Sequence, residues 1–170
     1  MQKILVIAPH PDDEVLGCGG TIAKYVSQGD EVSLCIATRG YTPDWPKAFL
    51  KNKLKETQKA NKILGVKKIY RLNFPTVKLD TIPQKRINDA LSSIVNAAKP
   101  SIAYIPHAGD LNRDHRILFE ASLVALRPSV RSLKKILSYE VLSETEWGQY
   151  LGPFIPNAYV DISKTLPQKL

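Results

Sequence analysis

The sequence is poor in the residues that redox and metal sites most often use, with two cysteines and three histidines in 170 residues. Cys18 and Cys35 fall among apolar neighbours, one at an expected helix start and one in mid-strand. They read as buried thiols, which sets aside a disulfide or a catalytic cysteine. No apolar run approaches the length of a membrane span. An apolar leader with a small-residue cleavage site is also missing, because Met1-Gln-Lys passes straight into a strand-like run, and the expected location is the cytoplasm. Acids are outnumbered, 16 against 24 bases, for a net charge of +8. Such a balance attracts anionic partners. The lysines, however, are spread over predicted helices with no aromatic interleaving, so a solvated surface is expected first, substrate steering second, and a nucleic-acid partner not at all. A G-x-G-x-x-G loop is absent as well. Gly17-Cys18-Gly19-Gly20 has another spacing, and Thr38-Arg39-Gly40 stands where a nicotinamide fold needs an acid.

What the chain does contain is concentrated in two places. Residues 3–8, KILVIA, are apolar on both faces, as a strand buried in a parallel sheet must be. The run breaks at Pro9 into His10-Pro11-Asp12-Asp13-Glu14. Three carboxylates beside one imidazole repel each other unless a cation or proton compensates, so the cluster asks for a metal. The glycines that follow are expected to turn the chain tightly and press a helix against the strand. The second concentration is His107-Ala-Gly-Asp110-Leu-Asn112-Arg-Asp114-His115, after the short apolar run Ser101–Ile105. All three histidines lie in these two loops, each just past a buried strand and beside acids.

Between and beyond them, strands and helices alternate. Helices are expected at about 17–28, 47–64, 83–98 and from the second polar loop to about Leu126. Strands are expected at 31–38, 67–72, 101–105 and 134–142, with another at Tyr159–Ser163 leading into a last helix. The alternation predicts a single α/β domain over residues 1–170, a Rossmann-like three-layer α/β/α fold with a mostly parallel sheet of order 3-2-1-4-5. That order makes strands one and four neighbours, so His10, Asp13 and His115 converge at their carboxyl ends. Two imidazoles and a carboxylate leave a fourth position for water, the pattern of catalytic zinc. Tyr41 and Trp45 either wall a pocket or cover the core, and Trp147 and Tyr150 either line a cleft or pack.

The Pro-His-Pro-Asp-Asp-Glu pattern, with a strand before it and a Gly-rich helix start after it, resembles the LmbE/PIG-L family of zinc-dependent sugar N-deacetylases. Further along, Lys53, Glu56, Ala60 and Leu64-Gly65-Val66 stand at the places of the family's basic residue, glutamate, alanine and helix ending. The resemblance implies hydrolysis of the N-acetyl group of an N-acetylglucosamine-type sugar or glycoconjugate, releasing acetate and an amino sugar. The alternative is a non-catalytic metal-binding or scaffold homologue. His10, Asp13 and His115 would bind Zn2+ or another divalent metal, and Asp12 would be the general base. Glu14 would stabilise the helix start, and Asp110 and Asp114 would orient the loop and His115. Lys53 stands where a substrate-binding arginine is usual, yet a solvated helix lysine is the expectation for it. One departure is Asn112, where the best-known members have a histidine. Asp12 alone is therefore expected to carry the proton both ways, with His107 as the other candidate acid. Relatives usually continue past 164–170, so a short or carboxyl-terminally truncated member is expected.

Overall fold

The computed structural model describes residues 1–170, apart from the side chain of Gln149. The chain runs β1 (Lys3–Ala8), α1 (Asp13–Ser27), β2 (Glu31–Arg39), α2 (Lys47–Ile63), β3 (Lys68–Pro75), a 3-10 turn (Leu79–Thr81), α3 (Gln84–Ala98), β4 (Ile102–Ile105), α4 (Arg113–Ala125) and β5 (Lys135–Ser138). The short α5 (Leu142–Thr145), a 3-10 stretch (Glu146–Leu151) and α6 (Leu166–Lys169) complete it. The five strands pair in parallel in the order β3-β2-β1-β4-β5, as the alternation of elements predicts.

Successive β1 side chains point to opposite faces, and both faces are covered. Leu5 and Ile7 join Ile87, Leu91, Val95, Leu118 and Ala121 of α3 and α4 in one core cluster. Ile4, Val6 and Ala8 join Cys18, Ile22 and Ala23 of α1 in the other. The sheet is thus the middle of three layers, and its register sets the site. Val6 pairs with Leu34 on one side and Tyr104 on the other, so the carboxyl ends of β1 and β4 lie next to each other. Beyond β1 the Pro9 carbonyl accepts from Thr38 N at 3.0 Å and Thr38 Oγ1 at 2.9 Å, which pins the departing chain.

Several boundaries differ from the sequence expectation, each for a local reason. The first helix begins at Asp13 instead of Gly17, because the Asp12 carbonyl already accepts from Val15 and Leu16 at 2.9 Å. Gly17 and Gly20 therefore lie inside α1 and make no turn. A Cβ on Gly17 would strike the Tyr139 ring, and one on Gly20 would come 2.6 Å from Ile162 Cδ1. Close packing against α1 is what these glycines permit. Tyr139 uses the space to donate its buried hydroxyl to the Ile7 carbonyl at 2.9 Å. The last strand ends at Ser138, so Tyr139 to Leu142 are not part of it. Tyr159–Ser163 forms no strand. That segment lies along α1 instead of a sheet edge, with Lys24 Nζ donating to the Asp161 carbonyl and Thr165 Oγ1 to the Gly20 carbonyl. Trp147 and Tyr150 stand exposed and do not pack. Trp45 covers Gly40 and meets Tyr41 edge-on at 5.4 Å. No helix among the described residues is long and apolar enough to cross a membrane.

Candidate metal centre

The loop after β1 and the start of α4 meet at the seam between β1 and β4. His10 Nδ1, Asp13 Oδ2 and His115 Nε2 form a triangle with edges of 3.2 Å, 3.3 Å and 3.3 Å. A tetrahedral ion with bonds of about 2.0–2.1 Å keeps its ligand atoms roughly 3.3–3.4 Å apart. The three donors already stand at that spacing, so the residues present fit a small tetrahedral cation. They are also the described His, Cys, Asp and Glu side chains that could hold a metal together. His115 is fully buried and Asp13 nearly so, while His10 is partly buried.

Each imidazole is aimed by a carboxylate on its other nitrogen. His115 Nδ1 lies 2.8 Å from Asp110 Oδ2, and His10 Nε2 lies 3.1 Å from Asp114 Oδ2. A carboxylate only accepts, so each outer nitrogen carries a hydrogen, and when the ring is neutral its lone pair is the inner one, facing the triangle. Asp110 is held in turn by Thr145 Oγ1 at 2.6 Å. Asp114 accepts from Val77 N at 2.6 Å and Leu79 N at 3.0 Å. The first of these comes from a β-branched residue held at φ 59°, a conformation such residues rarely adopt. The expectation that both acids serve His115 is corrected here: Asp110 does, and Asp114 serves His10. Neighbouring helix residues do not face each other, so Asp114 points away from His115.

The electrostatics follow from this crowding. Burial opposes charge on His10, but the Asp114 and Asp13 carboxylates outweigh it and push the imidazole up to about 9. His115 is pushed to about 9 in the same way by Asp110 and Asp13 against burial and the His10 ring. Burial likewise opposes the Asp13 carboxylate, and the two imidazoles hold it well below the usual carboxylate range. Protein groups alone thus draw protons to this point. A cluster that raises its imidazoles so strongly is one that favours positive charge, and a metal competes with those protons for the same lone pairs.

Asp12 sits beside the triangle, at the amino-terminal cap of α1, with φ 142° and ψ −27°. Its side chain is about half exposed, and Lys53 Nζ of α2 donates to Oδ2 at 2.6 Å. Lys53, expected as a solvated helix lysine, is partly exposed and ion-paired with Asp12. Glu14 is fully buried and raised by that burial; its Oε2 accepts from Asp12 N at 3.0 Å and its Oε1 from Asn61 Nδ2 at 2.7 Å. Asn112 caps α4, its Oδ1 accepting from Asp114 N at 3.0 Å. His107 stands apart from these contacts. Its Nε2 is buried without a hydrogen-bond partner, and its ring meets Phe154 edge-on at 5.0 Å.

Residues 5–126 match PIG-L, the GlcNAc-PI de-N-acetylase family. The chain belongs to the PIG-L family. It is 31% identical to an uncharacterised deacetylase of Escherichia coli K12, YaiS, over 84% of this chain and 75% of that one. It is 30% identical to the diacetylchitobiose deacetylase of Thermococcus kodakarensis over 100% of this chain and 67% of that one. Among solved structures, the N,N'-diacetylchitobiose deacetylase of Pyrococcus horikoshii superposes with a TM-score of 0.78 at 26% identity, covering 99% of this chain and 67% of that one.

The PIG-L match spans β1 through α4 and so contains every residue of the triangle and its outer carboxylates. Two participants escaped the sequence reading. Asn61 is one of many polar residues of α2, and only its place eight residues after Lys53, on the same face, signals it. Thr145 lies in a short helix far along the chain, and nothing in the sequence ties it to Asp110.

Proposed function

We propose that this PIG-L chain is a metal-dependent N-deacetylase that hydrolyses the N-acetyl group of an N-acetylglucosamine-type sugar or glycoconjugate. The observation that carries the reading is the triangle of His10 Nδ1, Asp13 Oδ2 and His115 Nε2 at tetrahedral spacing, with both outer imidazole nitrogens on carboxylates. The diacetylchitobiose deacetylase relatives support the reaction and the class of substrate. Residues 1–170 act as one domain in this reading, and the buried, unpaired thiols of Cys18 and Cys35 suit a reducing cytoplasm.

His10, Asp13 and His115 would hold Zn2+, which supplies a Lewis acid and a water of pKa near 7. Asp12 is the proton carrier. Its carboxylate takes a proton as water adds to the acetyl carbonyl carbon, and it returns that proton to the nitrogen as the C–N bond breaks. Acetate and the free amine leave. Asp110 and Asp114 keep both imidazoles in the donor tautomer through the cycle. Asn112 takes no part in proton transfer, because an amide has no proton to give and recover, and its oxygen is engaged in the α4 cap.

The test is acetate release from N,N'-diacetylchitobiose, N-acetylglucosamine and N-acetylglucosaminyl malate, with added zinc and after chelation. Zinc-dependent release is expected from at least one of them. Asp12→Asn should keep its zinc and lose about a hundredfold in turnover. Asp13→Ala and His115→Ala should lose the metal. A His115→Ala protein with a full complement of zinc would sink the ligand assignment. Zinc bound tightly with no acetate from any substrate would favour the scaffold reading.

A further inference from the structure

The residues of α2 that face the site are polar, which is unusual for the contact side of an amphipathic helix. Its two buried residues are Thr57 and Asn61. With Lys53 they recur every four residues and so share one face. Lys53 Nζ donates to the Asp12 carboxylate at 2.6 Å. Asn61 Nδ2 donates to Glu14 Oε1 at 2.7 Å, and Glu14 Oε2 accepts the Asp12 backbone N–H at 3.0 Å. One helix therefore holds Asp12 twice, once by its side chain and once, through Glu14, by its main chain. The stripe is also bonded along itself. Asn61 Nδ2 reaches the Thr57 carbonyl at 3.0 Å, and Thr57 Oγ1 reaches the Lys53 carbonyl at 2.8 Å.

The geometry points to a positioning role for this stripe: Lys53 directly, and Asn61 through Glu14, set the direction of the Asp12 carboxylate. The inference rests on the proposed reading of Asp12 as proton carrier. Two features of Asp12 make such a device necessary. Its φ of 142° is one that a residue with a side chain rarely adopts, so the backbone relaxes unless something over-determines it. Its side chain is also half exposed and would otherwise sample several rotamers. A proton carrier must stay within hydrogen-bond reach of its proton, and a shift of about 1 Å costs roughly a hundredfold in rate. Glu14 suits its place because a carboxylate accepts from two donors at once, whereas an amide in that position offers one oxygen. The resemblance to the family gives Lys53 to substrate binding; the contact with Asp12 gives it to orientation. The two roles separate kinetically, since lost substrate binding raises KM while a misdirected base lowers kcat.

The test compares Asn61→Leu, Lys53→Met and Lys53→Arg with wild type in kcat, KM, zinc per chain and the hydrogen-exchange rate of the Asp12 amide. Asn61→Leu does not remove any group touching Asp12. It should nevertheless lower kcat by roughly ten- to a hundredfold, leave KM within about threefold, keep its zinc and speed exchange of the Asp12 amide. Lys53→Met should show the same split between kcat and KM, and Lys53→Arg should recover most of the loss. A Lys53→Met enzyme with raised KM and unchanged kcat, or an Asn61→Leu enzyme with unchanged kcat, would overturn the inference. Should Asn61→Leu fold poorly, Lys53→Met at its partly exposed position still decides. If the wild type releases no acetate at all, the functional reading fails separately. Amide exchange at Asp12 then judges the clamp, which falls if Asn61→Leu leaves that rate unchanged.

Discussion

Replacing Asp110 by asparagine tests whether the outer carboxylate governs the metal centre. Asp110 is fully buried and both oxygens are committed, Oδ2 to His115 Nδ1 at 2.8 Å and Oδ1 to Thr145 Oγ1 at 2.6 Å. Thr145 Oγ1 already accepts from Val141 N at 2.9 Å, so its own hydrogen has to go to Asp110. An amide has one oxygen to offer these two donors. If that oxygen faces His115, the amide NH2 meets a hydroxyl whose hydrogen is left without an acceptor, at a cost of about 1–3 kcal/mol in stability. If it faces Thr145, the NH2 opposes the His115 Nδ1 hydrogen and drives the ring to the other tautomer, whose Nε2 hydrogen then blocks the triangle. Both arrangements weaken metal binding, and loss of an outer partner typically costs ten- to a hundredfold in affinity, about 1.4–2.7 kcal/mol. Competition for zinc against a chromophoric chelator measures the affinity, and calorimetry of the same samples reports the fold. A folded Asp110→Asn protein that holds zinc within about twofold of wild type would refute the reasoning.

How much of this was legible in the sequence depends on the distance over which each contact acts. β1, the break at Pro9 and the acids beyond it are local, and the alternation of elements placed strand four beside strand one, so the triangle could be anticipated. The outer shell could not be apportioned from spacing. Asp110 and Asp114 both flank His115 in the chain, yet only the one outside α4 can turn toward it, and the one inside reaches across to His10. Contacts such as Lys53 with Asp12 and Asn61 with Glu14 join residues 41 and 47 apart, and only the docking of α2 on α1 reveals them. The failed strand at Tyr159–Ser163 has the same origin. Its alternating Val160 and Ile162 suit a sheet, but a strand exists only where an edge receives it, and here Ile162 enters the gap left by Gly20 on α1.

Two further expectations follow from charge and from capping. His10 and His115 are raised in the folded protein to about 9, above the ordinary histidine value of 6.5. Their contribution to stability is therefore full below about pH 6.5 and lost as pH rises through about 9. The melting temperature of the chelated protein should fall over that window while the zinc-loaded protein changes little, and a flat profile for the chelated protein would contradict protonated imidazoles. The remaining expectation concerns the second polar loop, where the resemblance to the best-known members of the family sets a histidine against Asn112 and makes His107 the rival proton donor. Asn112 accepts from Asp114 N at 3.0 Å, and Asp114 in turn orients His10, so Asn112→His exchanges a helix cap for a ring. Removing such a cap costs about 1 kcal/mol, which should appear as a lower melting temperature with no gain in turnover. His107 donates to none of the groups around Asp12, and its ring packs on Phe154. His107→Ala should then lower stability while turnover stays within about twofold if Asp12 alone carries the proton, as proposed. A large loss of turnover at unchanged zinc content would return the acid role to His107 and remove it from Asp12.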